Sequence, residues 1–301
     1  MPKLDRSLLA PLLAAPISET TSFLLALARG QAARRRPRDL VAQLARDAFV
    51  TPLFLDQRLL HRLDGLALAA ATGFEALQLS PVAPLGVCSV VAPTSQDRTL
   101  TAQRGTEVVS DPTNMLAVVC AQRLLAAPDA PVRLCTLHQT LRAQSFPARA
   151  GYSRHFRLFA LADAGSGTGE DGFEVEALTR HLAVFDRLFD ALERELGYVC
   201  PERALIVRAT DPRNVLADRL IQRVRAQLPH VTVTREPLEQ AYYDGIRVMF
   251  GARNQAGAFV PIGDGGIFDW LAHLTSNRRF RFVASGFGLQ LAPVMFGPPG
   301  V

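Results

Sequence analysis

A chain of 301 residues and 32.8 kDa can bury a sizeable core, as one large domain or as one domain with an appendage. Hydrophobic residues make up 49% and charged residues 20%, an ordinary balance for a soluble globular protein, and the longest apolar runs, such as Leu66 to Ala71, are too short to cross a bilayer. The net charge of +5 comes almost wholly from arginine, since Lys3 is the only lysine, so it points to GC-rich coding more than to a phosphate-binding surface.

Met1 to Asp5 has no basic stretch leading into a clean apolar segment, so no secretory signal is expected. Residues 1–50 read as an Arg-rich helical extension, broken into short pieces by Pro11, Pro16 and Pro37. The cluster Arg34-Arg35-Arg36-Pro37-Arg38 is a candidate nucleic-acid patch, but a solvated helix end or a family-specific surface is the favoured reading, because no aromatic residues interleave with the cations to stack on bases. Residues 51–301 form the expected core. Its four cysteines, Cys88, Cys120, Cys135 and Cys200, are scattered without a Cys-x-x-Cys pair, which argues against a zinc ribbon or a disulfide framework and for a reduced, cytoplasmic setting.

From Asp56 to Thr72, Leu59, Leu63, Leu66 and Ala70 recur at helical spacing, and Gly73 is a helix stop. Phe74 to Pro81 alternates like a half-buried strand. Leu100 to Ser110 reads as a strand pair around Arg104-Gly105, and Pro112 to Leu125 as a helix started by Asp111. Val132 to Gln144 and Phe156 to Ala162 read as strands joined by a basic loop. The run Gly165 to Gly169 lacks the lysine of a phosphate-binding loop and reads as a flexible turn. Glu174 to Leu196 is a long amphipathic helix, followed by a strand at Leu205 to Ala209, a helix at Val215 to Leu228 and a strand at Val231 to Thr234. Strands and helices without regular βαβ alternation predict an α+β fold on a largely antiparallel sheet flanked by helices.

Three blocks then carry a resemblance. They are the helix ending at Gly73 with Phe74 to Pro81; Pro131 to Gln144 with Ala150 to Phe156; and Tyr242-Tyr243-Asp244-Gly245-Ile246 with Ile262 to Asp269 and Ser285 to Leu289. In order and spacing they resemble the three motifs of a class II aminoacyl-tRNA synthetase catalytic core, in the branch of histidyl-tRNA synthetase and its paralogue, the ATP phosphoribosyltransferase regulatory subunit. The resemblance implies a homodimer through the helix-strand unit 56–81. It also implies a partner enzyme subunit, a small amino-acid-like ligand and, if chemistry survives, ATP with Mg as cofactor.

By resemblance, Arg142 stands where the family stabilises the pentavalent phosphoryl centre, Gln144 where it has a glutamate, and Arg154 and Phe156 where it holds and stacks adenine. Gly286 and Gly288 complete that nucleotide set, and Asp111, Tyr242, Tyr243, Gly265 and Gly266 would form the substrate pocket. Read as residues alone, each has a plainer role. Arg142 can pair with a carboxylate, Phe156 and the tyrosines can pack, and the glycines can admit a neighbouring strand. His138 and His155 are too isolated to be ligands or bases, and read as surface or satisfied core histidines.

Departures from the family pattern matter as much. Leu291-Ala292-Pro293 stands where the family reads Leu-Glu-Arg, and Leu238 and Ile267 stand where it has arginines. Each lost charge-assisted contact is worth about 1.5–3 kcal/mol, enough together to cripple ordinary ATP activation. The resemblance ends near Pro293, before any anticodon-binding domain, so tRNA is not an expected substrate. The reading is therefore a catalytically degenerate paralogue with a small-molecule-binding or regulatory role. The alternative is a carboxylate-adenylating ligase with a non-tRNA acceptor and Arg142 as its catalytic clamp, and a third is an interaction protein using the basic N-terminal helices.

Overall fold

The computed structural model describes Ser7, residues 9–144 and residues 152–298. The basic loop expected to join the strands of the second block, with Ala150 and Gly151, lies outside them, as does the segment Met1 to Asp5.

Three helices open the chain: α1 (Leu9–Ala14), α2 (Ile17–Ala32) and α3 (Pro37–Leu44), none of which has a buried residue. Pro16 and Pro37 do bound helices, as N-cap of α2 and first residue of α3. Pro11 does not. It sits in the first turn of α1, where its missing N–H would have had no helical partner.

Helix α4 (Gln57–Ala70) begins at Asp56, whose side chain accepts from the Arg58 amide at 2.6 Å, and buries Leu63, Ala67 and Ala70. Gly73 follows at φ +87°, a conformation that favours glycine. The expected strand 74–81 shrinks to β1 (Glu75–Ala76), because only those residues pair with a neighbouring strand. β2 (Val82–Pro84), β3 (Thr101–Ala102) and β4 (Thr106–Val108) form a separate antiparallel sheet in the order β2-β4-β3. Arg104 and Gly105, both at φ 67°, make its hairpin turn. Helix α5 (Pro112–Ala126) starts as expected at Asp111.

The rest of the chain supplies β5 (Val132–Leu141), β6 (His155–Ser166), α6 (Gly172–Leu196), β7 (Ala204–Ala209), α7 (Asn214–Gln227), β8 (Thr232–Pro237), β9 (Ile246–Arg253), β10 (Phe259–Phe268), α8 (Trp270–Thr275), β11 (Phe280–Phe287) and α9 (Ala292–Phe296). Gly165 and Ser166, expected in a flexible turn, finish β6 instead, because both pair with β11. Eight strands form one sheet in the order β1-β5-β6-β11-β10-β9-β7-β8, antiparallel throughout its centre and parallel only at the edge pairs β1/β5 and β7/β8.

Period-two alternation divides β11 between two cores. Val283 and Phe287 join α4, α6 and α7 on one face, around the rings of Phe185, Phe189 and Phe250. Phe280, Phe282 and Ala284 join α5 and α8 on the other, with Phe268 and Trp270. Burial pushes the thiols of Cys120 and Cys200 up to about 12 and that of Cys135 to about 11, so all three stay neutral. Among the described residues no helix is long and apolar enough to cross a membrane.

Candidate functional site

The second and third blocks meet at a cavity of about 600 Å³ on the α5 face of the sheet, while the first block contributes no residue to its lining. β10 and β11 supply its floor through Asp264, Gly265, Ala284 and Gly286, and Gly288 lies just past β11. Tyr242, Tyr243 and Phe268 make an aromatic wall, with Tyr242 edge-on to both Tyr243 and Phe268. Asp111, Arg142 and the turn from Pro93 to Arg98 make a polar wall.

Arg142 lies just past the end of β5. Its Nε donates to the Ser110 carbonyl at 2.8 Å, its Nη2 to Asp111 Oδ2 at 3.0 Å, and its guanidinium stands 5.1 Å from the centre of the Phe156 ring. Asp111 does double duty: Oδ1 accepts from the Thr113 amide and hydroxyl, capping α5, while Oδ2 holds Arg142. The carboxylate-pairing reading of Arg142 is thus realised without removing the side chain from the cavity. Phe156 is covered by the arginine it supports.

On the other side, Asp264 accepts from the Tyr243 hydroxyl at 3.0 Å and from Arg247 through Nε at 3.0 Å and Nη2 at 2.6 Å. This two-pronged contact fixes Tyr243, and burial, reinforced by the Asp264 charge, pushes its hydroxyl well above the usual phenol range. Tyr242 is pushed up in the same direction, by burial first and then by Asp111. Both phenols therefore face the cavity as neutral groups.

Seven of the expected site residues line the cavity: Asp111, Arg142, Tyr242, Tyr243, Gly265, Gly286 and Gly288. Four do not. Arg154 donates to the Ala143 and Gln144 carbonyls and lies 4.9 Å from the Phe49 ring, so it ties the N-terminal segment to the end of β5. Gln144 enters that contact through its backbone, and Phe156 lies under Arg142. Gly266 serves packing, since a side chain there would strike the Ile246 carbonyl and the Tyr243 ring. Gly265 also faces a neighbour, the Ser285 side chain of β11. Gly286 differs: a Cβ would meet Leu158 at an ordinary 3.4 Å, so its missing side chain leaves room in the cavity.

The positions where the resemblance places further ATP contacts are apolar and buried. Leu238, Ile267, Ala292 and Pro293 all belong to the interior. The carboxylates of Asp111 and Asp264 are already committed to arginines. A magnesium triphosphate held in the family's manner does not fit this set of side chains.

Sequence reasoning missed Arg98, the Arg247–Asp264 pair and a buried relay beneath β11. Ser285 Oγ lies 2.8 Å from His181 Nδ1, and His181 Nε2 lies 3.0 Å from Asp163 Oδ2. The carboxylate accepts from the Nε2 hydrogen, which leaves Nδ1 to accept from the serine. Asp163 also takes Arg180 at 2.9 Å. The three relay residues are 1–2% exposed, and although Ser285 borders the cavity its hydroxyl points away to His181 on α6, so the trio braces the glycine strand. Ser285→Ala should leave Nδ1 unpaired at a cost of about 1–3 kcal/mol, or roughly 2–4 °C of melting temperature per kcal/mol. A thermal melt checks this; an unchanged midpoint would remove the bracing role.

The two isolated histidines differ. His155 is held between Gln139 at 3.1 Å and the Thr51 carbonyl at 2.7 Å. His138 is in the core as expected but is not satisfied: among the described residues neither ring nitrogen has a partner. Burial, aided by Arg157, lowers its pKa and keeps it neutral.

No protein-family model matches the sequence, and no curated protein is detectably similar to it. Solved structures are. An ATP phosphoribosyltransferase regulatory subunit/histidyl-tRNA synthetase from Bacillus halodurans superposes with a TM-score of 0.61 at 12% identity, covering 83% of each chain. Apo histidyl-tRNA synthetase of S. aureus gives 0.61 at 12%, over 83% of this chain and 69% of that one. A histidine–tRNA ligase subunit from Alicyclobacillus acidocaldarius gives 0.58 at 13%, over 83% and 96%. The chain has the class II synthetase-like fold, with the mostly antiparallel sheet and flanking helices that its sequence predicts.

Proposed function

We propose that this chain is a catalytically degenerate relative of histidyl-tRNA synthetase that binds a small, amino-acid-like molecule in the Arg142–Tyr242–Gly286 cavity and acts as a regulatory or accessory subunit. One observation carries the reading: the cavity keeps its glycine floor, tyrosine wall and arginine, while positions 238, 267, 292 and 293 have become apolar interior. A site that retains a pocket and sheds phosphate contacts is suited to binding without adenylation. The likeness to a protein described as an ATP phosphoribosyltransferase regulatory subunit/histidyl-tRNA synthetase supports a partner enzyme subunit.

We place the protein in the cytoplasm, as a homodimer through the unit 56–81. Supporting the dimer, β1 is a sheet edge with one side unpaired, and Leu68 on the adjoining α4 is 41% exposed. The division into a helical extension, 1–50, and a core, 51–301, belongs to the same proposal.

Calorimetric titration with the L-amino acids and with ATP should give saturable binding to one site, lost in Arg142→Ala, alongside no carboxylate-dependent pyrophosphate–ATP exchange. Exchange that depends on Arg142 would instead support the second reading, adenylation of a carboxylate with ATP and Mg for transfer to a non-tRNA acceptor, with Arg142 as the clamp. Neither binding nor exchange, with no co-purifying subunit, would sink both.

A further inference from the structure

Four charged side chains line the cavity: Arg98, Asp111, Arg142 and Asp264. Asp111 is spent on Arg142 and on the cap of α5, and Asp264 on Arg247 and Tyr243. That leaves Arg98. Its guanidinium has no hydrogen-bond or ion-pair partner among the described residues, although the residue is half-buried. With Arg247 counted, two carboxylates face three guanidinium groups around the site, so the surplus is one positive charge and it sits at Arg98.

The position of Arg98 is built, not incidental. It ends the short helical turn Gln96–Arg98, which Ser95 caps by accepting from the Asp97 amide at 3.1 Å. The buried Glu107 anchors that turn, accepting from Gln96 Nε2 at 2.6 Å and from the Gly86 and Cys88 amides at 2.8 and 2.7 Å. The Arg98 carbonyl accepts from the Ala143 amide at 2.7 Å, so the residue next to Arg142 is tied directly to Arg98. Arg98 and Arg142 both line the cavity, and the bond between residues 98 and 143 sets the two segments that carry them side by side.

We propose that Arg98, with Arg142, forms a two-arginine clamp for a single oxyanion, so that the cavity's ligand is a small molecule bearing a carboxylate or phosphoryl group. This rests on the reading that the cavity binds a small molecule. A partly desolvated guanidinium is uncompensated until an anion arrives, and its planar fork suits two oxygens of one group. The neutral phenols of Tyr242 and Tyr243 and the ring of Phe268 then contact the rest of the ligand.

The test compares, by titration calorimetry, matched pairs in which one member carries the oxyanion (here the anionic member) and the other lacks it: each L-amino acid against its carboxamide, and ATP against adenosine. Wild-type protein should prefer the anionic member of one pair by at least about tenfold, and the pair that discriminates says whether the oxyanion is a carboxylate or a phosphoryl group. Arg98→Ala should erase that preference while melting like wild type, since no described contact is lost, and Arg98→Lys should keep part of it. If wild type binds but does not discriminate, or if Arg98→Ala discriminates equally well, the clamp is wrong while the binding reading stands. If wild type binds no member of any pair, the binding reading falls and takes the clamp with it.

Discussion

Gly266→Ala is expected to weaken binding in the cavity at least about tenfold and to lower stability by about 1–3 kcal/mol, the cost of overpacking a close contact. A Cβ on Gly266 would stand 2.5 Å from Tyr243 Cδ1 and would press on the Ile246 carbonyl as well. The carbonyl belongs to the first residue of β9, which pairs with Ala209 of β7 and cannot yield without disturbing the sheet, so the tyrosine must move. Moving it breaks the 3.0 Å bond to Asp264 and swings part of the aromatic wall into the cavity. Gly286→Ala is the contrast: with 3.4 Å to Leu158 it should melt like wild type and merely narrow the site. Calorimetry and thermal melts on both variants decide the matter. Wild-type binding and melting in Gly266→Ala would show that Tyr243 is not held where the packing places it.

That contrast also shows what could be read in advance. The periodicity of Leu59, Leu63, Leu66 and Ala70, the Asp111 cap and the apolar stripe of α6 are local signals, and the helices they imply are present. The glycine-punctuated strands lie side by side as β10 and β11. Which glycine admits a ligand and which a neighbour depends on strand register, and register is not written in a single strand. Arg247 illustrates the limit. It lies opposite Gly266 on β10, two residues past the aspartate it binds, and only that register reveals the Arg247–Asp264 pair. Arg98 was illegible for the same reason, since its neighbour Ala143 is 45 residues away and the two meet through a backbone bond. The strand expected at 74–81 failed differently. Its alternation is real, but beyond the Leu77 amide, which still bonds to Cys135, no partner strand among the described residues continues the ladder.

The residue that does most to shape the polar wall touches no part of the cavity. Glu107, 1% exposed on β4, gathers three donors from separate segments: the amides of Gly86 and Cys88 and the side chain of Gln96. Glu107→Ala should leave all three without an acceptor, at about 1–3 kcal/mol each, so a loss of about 3 kcal/mol or more is expected. That corresponds to roughly 6–12 °C in melting temperature. Glu107→Gln keeps one acceptor oxygen but turns an NH₂ toward a former donor, so its loss should be near a third of that. The functional consequence follows from geometry. With Gln96 released, the turn that carries Arg98 loses its anchor, while Arg142 stays fixed by Asp111 and the Ser110 carbonyl. Glu107→Ala should therefore lower the preference for the ligand that carries the oxyanion more than the affinity for its counterpart without it, and Glu107→Gln, which can still hold Gln96, should lower it less. Equal losses for both ligands would mean that Glu107 supports the small sheet alone, and that Arg98 is positioned by its bond to Ala143 without help from the buried carboxylate.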